Sequence, residues 1–351
     1  MSASFIDKNI LNAFGLDEMD FEIHAFGSGL INSTWKLKGN QQSFILQQIN
    51  HQVFKSPQTI ADNLEKLHLY LLKTAPDYLF TAPLPALSGK FLVRNDDGDY
   101  FRLFRFVSGS HSVDVVSDPS QAYEAAKQFG KFSRLLTDFD PQELEVTIPD
   151  FHNLELRYAG FEDAYKNANP ARKELALDQI KMIWENVEIL KTYQKITQEK
   201  HIPLRVMHHD TKISNVLFDN AGKGLCVVDL DTVMPGYFLS DLGDMLRTYL
   251  SPVNEEEKDL SKIVIRTDYY HAIIQGYLSE MEPILTSAEK QCFFYAGKMM
   301  MYMQAIRFLT DFLNGDIYYP ITYPDQNLFR AKNQLTLLNQ FMLMEKQLSA
   351  N

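Results

Sequence analysis

The stretch His208-His209-Asp210-Thr211-Lys212-Ile213-Ser214-Asn215-Val216-Leu217-Phe218, followed by Cys226-Val227-Val228-Asp229-Leu230-Asp231, decides how this chain is read. An acidic residue and an amide five positions later are separated by a short polar loop, and each is anchored to an apolar, β-rich run. A further carboxylate closes the next such run. Phosphoryl transfer uses this set: one carboxylate beside an acceptor hydroxyl, and an amide oxygen and second carboxylate to hold magnesium against phosphates. Strand ends give such groups a rigid mounting. Taken alone, Asp-x4-Asn is an ordinary turn held by side-chain bonds. A zinc reading of the His-His pair fails because no spaced third ligand follows.

Outward from this segment the chain divides in two. Residues 1–110 read as short strands at Phe21–Phe26, Thr34–Leu37, Phe44–Ile49, Lys90–Asn95 and Tyr100–Val107, punctuated by Gly, Asn and Asp. One helix interrupts them, with Pro57 near its start and Ile60, Leu64, Leu67 and Leu71 at helical spacing. After Ser108-Gly109-Ser110, helical patterns dominate at 119–138, 152–167, 170–199, 255–280, 284–314 and 325–348, and a small hairpin is embedded at 204–230. The predicted class is α+β. Residues 1–107 form a β-rich nucleotide-binding lobe, and residues 108–351 a larger, mainly helical lobe for catalysis and acceptor binding.

Composition narrows the function. The chain has 351 residues, 45% of them hydrophobic and 23% charged, which suits a folded globular protein. A net charge of −11 argues against nucleic acid as a partner. Two cysteines are too few for a disulfide framework. The segment Met1–Leu16 lacks a basic region followed by an apolar core, so it does not read as a secretory signal. The most apolar stretch, Cys292–Leu313, is interrupted by Lys298 and Arg307. A membrane-spanning helix needs roughly 20 apolar residues, so this one is expected in a protein core. A cytoplasmic protein acting on a small molecule is the expectation.

With these residues in view, the chain resembles the aminoglycoside phosphotransferase and choline kinase superfamily, relatives of the protein kinases. The pattern H-x-D-x-x-x-x-N is met by His208, Asp210 and Asn215. An apolar-apolar-Asp-x-Asp run is met by Val227 to Asp231, and G-x-x-x-x-D-L by Gly236, Asp241 and Leu242. The resemblance implies a protein-kinase-like two-lobed fold using ATP and Mg2+. It casts Asp210 as the catalytic carboxylate, Asn215 and Asp229 as metal ligands with Asp231 as a further one, and His208 and Asp241 as supports of the loop. In the front lobe it implies a nucleotide site at Gly27, Ser28, Gly29, Asn32 and Thr34, where a glycine hairpin lays N–H groups over phosphates. Adenine is expected against the connecting segment at Arg105 and Val107. This is not a Walker A loop, because no G-K-[ST] follows.

One departure stands out. Members of this superfamily usually carry a lysine on the third strand, and Phe44-Ile45-Leu46-Gln47-Gln48-Ile49 offers Gln47 there. Either magnesium takes up more of the phosphate charge, or a lysine such as Lys36 reaches in from elsewhere. The partner glutamate on the helix is equally open between Asn63 and Glu65.

A second, finer resemblance joins the segment Gln304–Tyr319 and the pattern Asn327-Leu-x-Arg330-Ala-x-Asn333-Gln334 to the bacterial N-acetylhexosamine 1-kinases. It implies transfer to the anomeric hydroxyl of N-acetylglucosamine or N-acetylgalactosamine, with Arg307, Asp316 and Tyr318 around the acceptor. An uncharged sugar wants such polar partners beside an aromatic wall. Arg307 and Asp311 are also four residues apart, so an ion pair along the helix is equally consistent. Choline, homoserine or an aminoglycoside remain alternative acceptors, and a nucleotide-binding pseudokinase remains an alternative class.

Overall fold

The computed structural model describes residues 6–17, 20–27 and 31–348. The front of the chain builds one antiparallel sheet. After α1 (Lys8–Ala13) come β1 (Glu22–Ala25), β2 (Ser33–Lys38) and β3 (Ser43–Ile49), then α2 (Pro57–Thr74), β4 (Val93–Arg94) and β5 (Tyr100–Arg105), in the order β1-β2-β3-β5-β4. Alternation sorts the two faces. Trp35, Leu37, Phe44, Leu46, Phe101 and Leu103 point to one side and bury Ile10 and Leu11 of α1 in a small core. The other face carries Thr34, Gln47 and Arg102, aligned by the register Thr34↔Gln47↔Arg102.

The remainder is helical around a small β core. β6 (Ser110–His111) pairs with β8 (Val216–Asp219), which pairs with β9 (Gly224–Val227), while β7 (Arg205–Met207) pairs with β10 (Met234–Gly236). The helices are α3 (Pro119–Leu135), α4 (Leu154–Asn167), α5 (Pro170–Leu175), α6 (Leu177–Glu185), α7 (Glu188–Gln198), α8 (Phe238–Tyr249), α9 (Thr267–Met281), α10 (Ser287–Gln291), α11 (Phe293–Leu313), α12 (Gln326–Leu343) and α13 (Glu345–Leu348). This is the two-lobed α+β arrangement read from the sequence. α11 is the axis of the large core: Met299, Met300, Met301 and Met303 are all buried along it. Among the described residues, no helix is long and apolar enough to cross a membrane.

Several boundaries differ from the sequence reading. The pattern over 170–199 is three helices, broken at Ala176 and again near Asn186, where the caps leave helical geometry. The pattern over 255–280 becomes α-helical only at Thr267, after a single 3-10 turn at Leu260–Lys262. Before it, the Asn254 and Asp259 side chains accept backbone N–H groups of Glu256 and Ser261, and Asn333 ties the carbonyls of Asn254 and Glu257. Local side-chain bonds compete there with helix formation. α1 and α8 were not anticipated. The buried face of α2, with Ile60, Leu64, Leu67 and Leu71, belongs to the large core and not to the small one.

α3 and α9 cross at close range because glycines face them. A Cβ on Gly276 would lie 2.3 Å from the Tyr123 carbonyl oxygen, and one on Gly130 would lie 3.0 Å from that of Tyr277. Gly276→Ala should therefore push two core helices apart and cost about 1–3 kcal/mol of unfolding free energy. Urea titration checks this, and an unchanged midpoint would show that the crossing is soft.

Candidate active site

The loop after β7 is held by α8. Asp241, in the first turn of that helix, accepts the backbone N–H of His208 on one oxygen at 2.9 Å and that of His209 on the other at 2.8 Å. Burial raises the Asp241 carboxyl to about 7, against the pull of those two N–H bonds. One turn along, Asp244 accepts the Thr211 N–H at 3.0 Å, the Thr211 hydroxyl donates to the Asp241 carbonyl at 2.7 Å, and the Tyr249 hydroxyl donates to the Thr211 carbonyl. Every backbone group so used is buried, so each bond removes an otherwise unsatisfied polar atom.

The two histidines are wedges. His208 donates from Nε2 to the Val228 carbonyl at 2.9 Å and receives the Asp210 N–H on Nδ1, which joins the loop to the end of β9. Phe129 and Phe132 pack edge-on against its ring. His209 takes a left-handed backbone (φ 66°) and turns its ring back onto the carbonyls of Met207 and Thr232. Burial lowers its pKa to about 4, so the ring is neutral with Nδ1 as donor. A Cβ at residue 236 would sit 2.3 Å from that ring, which explains the glycine of the G-x-x-x-x-D-L run.

This scaffold presents Asp210 at the cleft. Its Oδ2 accepts the Asn215 side-chain N–H at 3.0 Å and the Lys212 ammonium at 2.9 Å. Burial by itself would raise the Asp210 pKa. The charge and hydrogen bond of Lys212, helped by His208 and Asn215, outweigh that and hold it below the ordinary value. Asp210 is therefore ionised at neutral pH. Asn215 also donates to the Asp210 carbonyl, and its own carbonyl accepts the Val228 N–H, so residues 210, 215 and 229 lie in one cluster.

Asp229 adopts a left-handed backbone (φ 59°) and its side chain is solvent-exposed. The density of protein around it, then the charges of Asp231 and Asp210, raise its carboxyl to about 7. Crowded carboxylates of this kind are relieved by a cation, which fits magnesium held by Asp229 and the Asn215 side-chain oxygen. Asp231 is placed differently. Its side chain is 1% exposed, ion-paired with Arg102 and bonded at 2.8 Å by Asn32. In this arrangement it binds the front lobe.

The other anticipated nucleotide residues do not share one face: Thr34 and Gln47 lie on the face of Arg102, whereas Arg105 pairs with Phe44 on the small-core side. Gly27 has φ +82°, and Ser28 and Gly29 lie outside the described residues. Thr34 accepts the Gln47 amide on its hydroxyl. Arg105 is exposed at the end of β5, and the Val107 carbonyl accepts the Ser110 hydroxyl. Lys36 stays at the rim, its ammonium 3.4 Å above the Phe106 ring. Of the two candidate helix partners, Asn63 is buried and bonded to the backbone of Glu145, and Glu65 is exposed.

Of the residues anticipated around the acceptor, Arg307 is half-buried with its guanidinium between Phe151 and Tyr319 and bonds Gln304. The helical pair with Asp311 does not form. Asp311 instead accepts the backbone N–H groups of Ile317, Tyr318 and Tyr319. Asp316 is engaged by Arg172 and Asn327, and Tyr318 is 69% exposed. The sequence reading passed over Lys212, His152, Arg157 and Arg102. Lys212 had a signal, a lysine two residues after the loop aspartate. Burial, the neighbouring His209 ring and the cations Arg307, Arg247 and Arg157 hold His152 well below the usual imidazole range. No pattern in the sequence joins residue 152 to residue 307.

The depressed His209 value has a testable sign. Its ring should stay neutral with Nδ1 protonated at pH 5 in nitrogen-15 NMR. The folded pKa lies below the unfolded one, so acidification from about 6.5 towards 4 should remove up to roughly 3 kcal/mol of wild-type stability relative to His209→Gln. A stability gap that ignores pH would contradict this.

The geometry can now be set beside known proteins. The chain aligns along its whole length (100%) with 98% of an aminoglycoside phosphotransferase from Alicyclobacillus acidocaldarius, with a TM-score of 0.70 and 13% identity. It covers 98% of a microcompartment-associated aminopropanol kinase with 98% of its own length, at a TM-score of 0.64 and 13% identity. For a spectinomycin phosphotransferase solved with ADP and spectinomycin the values are 0.60 and 12%, over 95% of this chain and 97% of that one. At such identities the likeness is one of fold. The sequence profile of the phosphotransferase enzyme family matches residues 22–281, most of the chain and all of the loop just described, and the chain belongs to that family.

Proposed function

We propose that this protein transfers the γ-phosphate of ATP to a hydroxyl of a neutral sugar, and that the acceptor is the anomeric hydroxyl of N-acetylglucosamine or N-acetylgalactosamine. The observation that carries the phosphoryl-transfer part is the cluster of Asp210, Lys212, Asn215 and Asp229 at the cleft between the lobes. Nucleotide binding falls to the front lobe, residues 1–107, and acceptor binding to residues 108–351.

The roles follow from the contacts. Oδ2 of Asp210 is occupied by Lys212 and Asn215, which leaves Oδ1 to accept the hydrogen bond of an acceptor hydroxyl. As the hydroxyl oxygen attacks the γ-phosphorus and the bridging bond to ADP breaks, Asp210 takes the proton. An anomeric hydroxyl is more acidic than an ordinary alcohol, so a carboxylate with a low pKa suffices. Lys212 sits where its ammonium can turn from Asp210 to a phosphate oxygen. Asn215 and Asp229 would hold magnesium, which offsets phosphate charge when bound.

The acceptor class is argued from charge. Arg157 and Arg307 flank His152, and among the described residues neither has a carboxylate at ion-pair distance. Arg157 bonds only the carbonyls of Asp150 and Phe151. Its Nε and the His152 Nδ1 are buried without a partner. An amine-bearing acceptor such as aminopropanol would meet like charge here. A neutral sugar with an acetamido carbonyl offers the oxygens these donors need.

Asp210→Asn should abolish turnover, by at least 100-fold, while magnesium-ADP still binds; wild-type turnover would reject the base assignment. An acceptor panel with ATP and magnesium, read by phosphorus NMR, should give a sugar 1-phosphate signal. Phosphorylation of amine-bearing acceptors alone would overturn the acceptor class. Arg307→Met should raise the KM for the sugar by about 10- to 100-fold and leave the KM for ATP unchanged.

A further inference from the structure

The front lobe has no lysine at residue 47, yet it does not lack a buried cation at that level of the cleft. Arg102 is the cross-strand neighbour of Gln47, one strand further on, and its side chain is 3% exposed. Gln47 accepts two of its N–H groups on a single oxygen, from Nε at 3.1 Å and from Nη2 at 2.8 Å. The Gln47 amide nitrogen is in turn held by the Thr34 hydroxyl at 3.1 Å. Arg102 then spans the cleft to Asp231, whose second oxygen takes the Asn32 side chain at 2.8 Å, and Asn32 itself is fixed by the Asn50 N–H at 3.0 Å.

We propose that Arg102 is the positioning cation of the nucleotide site, taking over from the fifth strand the charge that a third-strand lysine would supply, with Gln47 as its clamp and Asp231 as its acidic partner. Three observations converge on this. The charge lies within electrostatic range of Asp229, the carboxylate left open to magnesium. No glutamate of α2 is turned to this point: Glu65 is exposed, and Asn63 bonds the backbone of Glu145 and Val233. The residue at the lysine's own place is a glutamine, shorter than a lysine and uncharged, and it serves as a hydrogen-bond acceptor for a guanidinium.

Arginine suits the post better than lysine would from β5. Its planar guanidinium gives two N–H groups to Gln47 while its charge is paired with Asp231. Because the pair is buried and joins residues of the two lobes, it fixes Asp231, and with it the neighbouring Asp229, relative to β2 and β3. The nucleotide is the ligand that binds between those elements. This inference rests on the kinase reading but not on the identity of the acceptor.

The test is a charge swap read by calorimetry with magnesium-ADP, backed by circular dichroism. Arg102→Met should weaken magnesium-ADP binding by about tenfold or more, since it leaves Asp231 buried without a counter-ion. Gln47→Lys alone should also weaken it, by setting two cations side by side. The double variant Gln47→Lys/Arg102→Met should recover most of the affinity, because the cation returns to the third strand. A purely structural role for Arg102 predicts no such recovery, so a double variant no better than Arg102→Met would overturn the proposal. Wild-type affinity in Arg102→Met would overturn it as well. Should Arg102→Met not fold, Gln47→Ala keeps the charge and removes the clamp, and a severalfold loss of affinity is expected; an unchanged value would count against the proposal. A wild-type protein that binds no magnesium-ADP would instead sink the kinase reading itself.

Discussion

The bond from the Asp241 carboxylate to the backbone of His208 and His209 is the constraint on which the site depends. It fixes two successive N–H groups to the first turn of α8, where the helix dipole favours a negative charge. With that point set, His209 is forced into a left-handed backbone and Asp210 is turned out of the core into the cleft. The same helix supplies Asp244 and Tyr249 to the next residue of the loop, so one rigid element determines where the carboxylate stands.

Around this anchor the cleft is organised by charge. Asp210, Asp229 and Asp231 lie near one another, and their repulsion is handled in three ways. Lys212 keeps Asp210 ionised. Arg102 and Asn32 bury Asp231. Asp229 is left without a direct counter-ion and carries a raised pKa, which gives a cation a reason to bind. Around His152 the sign reverses: among the described residues Arg157 and Arg307 have no carboxylate at ion-pair distance, although the chain as a whole carries a net charge of −11.

Much of this was legible in the chain. Strands β1, β2, β3 and β5 fall where alternation and turn residues place them, because each has one face in the small core and the pattern records that burial. α3 was visible for the same reason at helical spacing, and α11 as one long apolar run. α8 was missed although its pattern is amphipathic, because its polar residues Asp241 and Asp244 are buried against the loop and do not mark a solvent face. The helix expected over 255–266 is replaced by side-chain-capped turns tied to Asn333, a partner no local rule can supply.

The sequence alone settled the order of chemical groups along the catalytic loop, because a loop of eight residues between two strands brings Asp210 and Asn215 together whatever surrounds it. It also settled the division into a β-rich front and a helical back, since hydrophobic period is a local property. Only the tertiary structure decided which cation faces Asp231 and which donors surround His152. Arg102 with Asp231, and His152 with Arg307, come from segments far apart in the chain. Their pairing is set by how sheet and helices pack, which no spacing along the chain encodes.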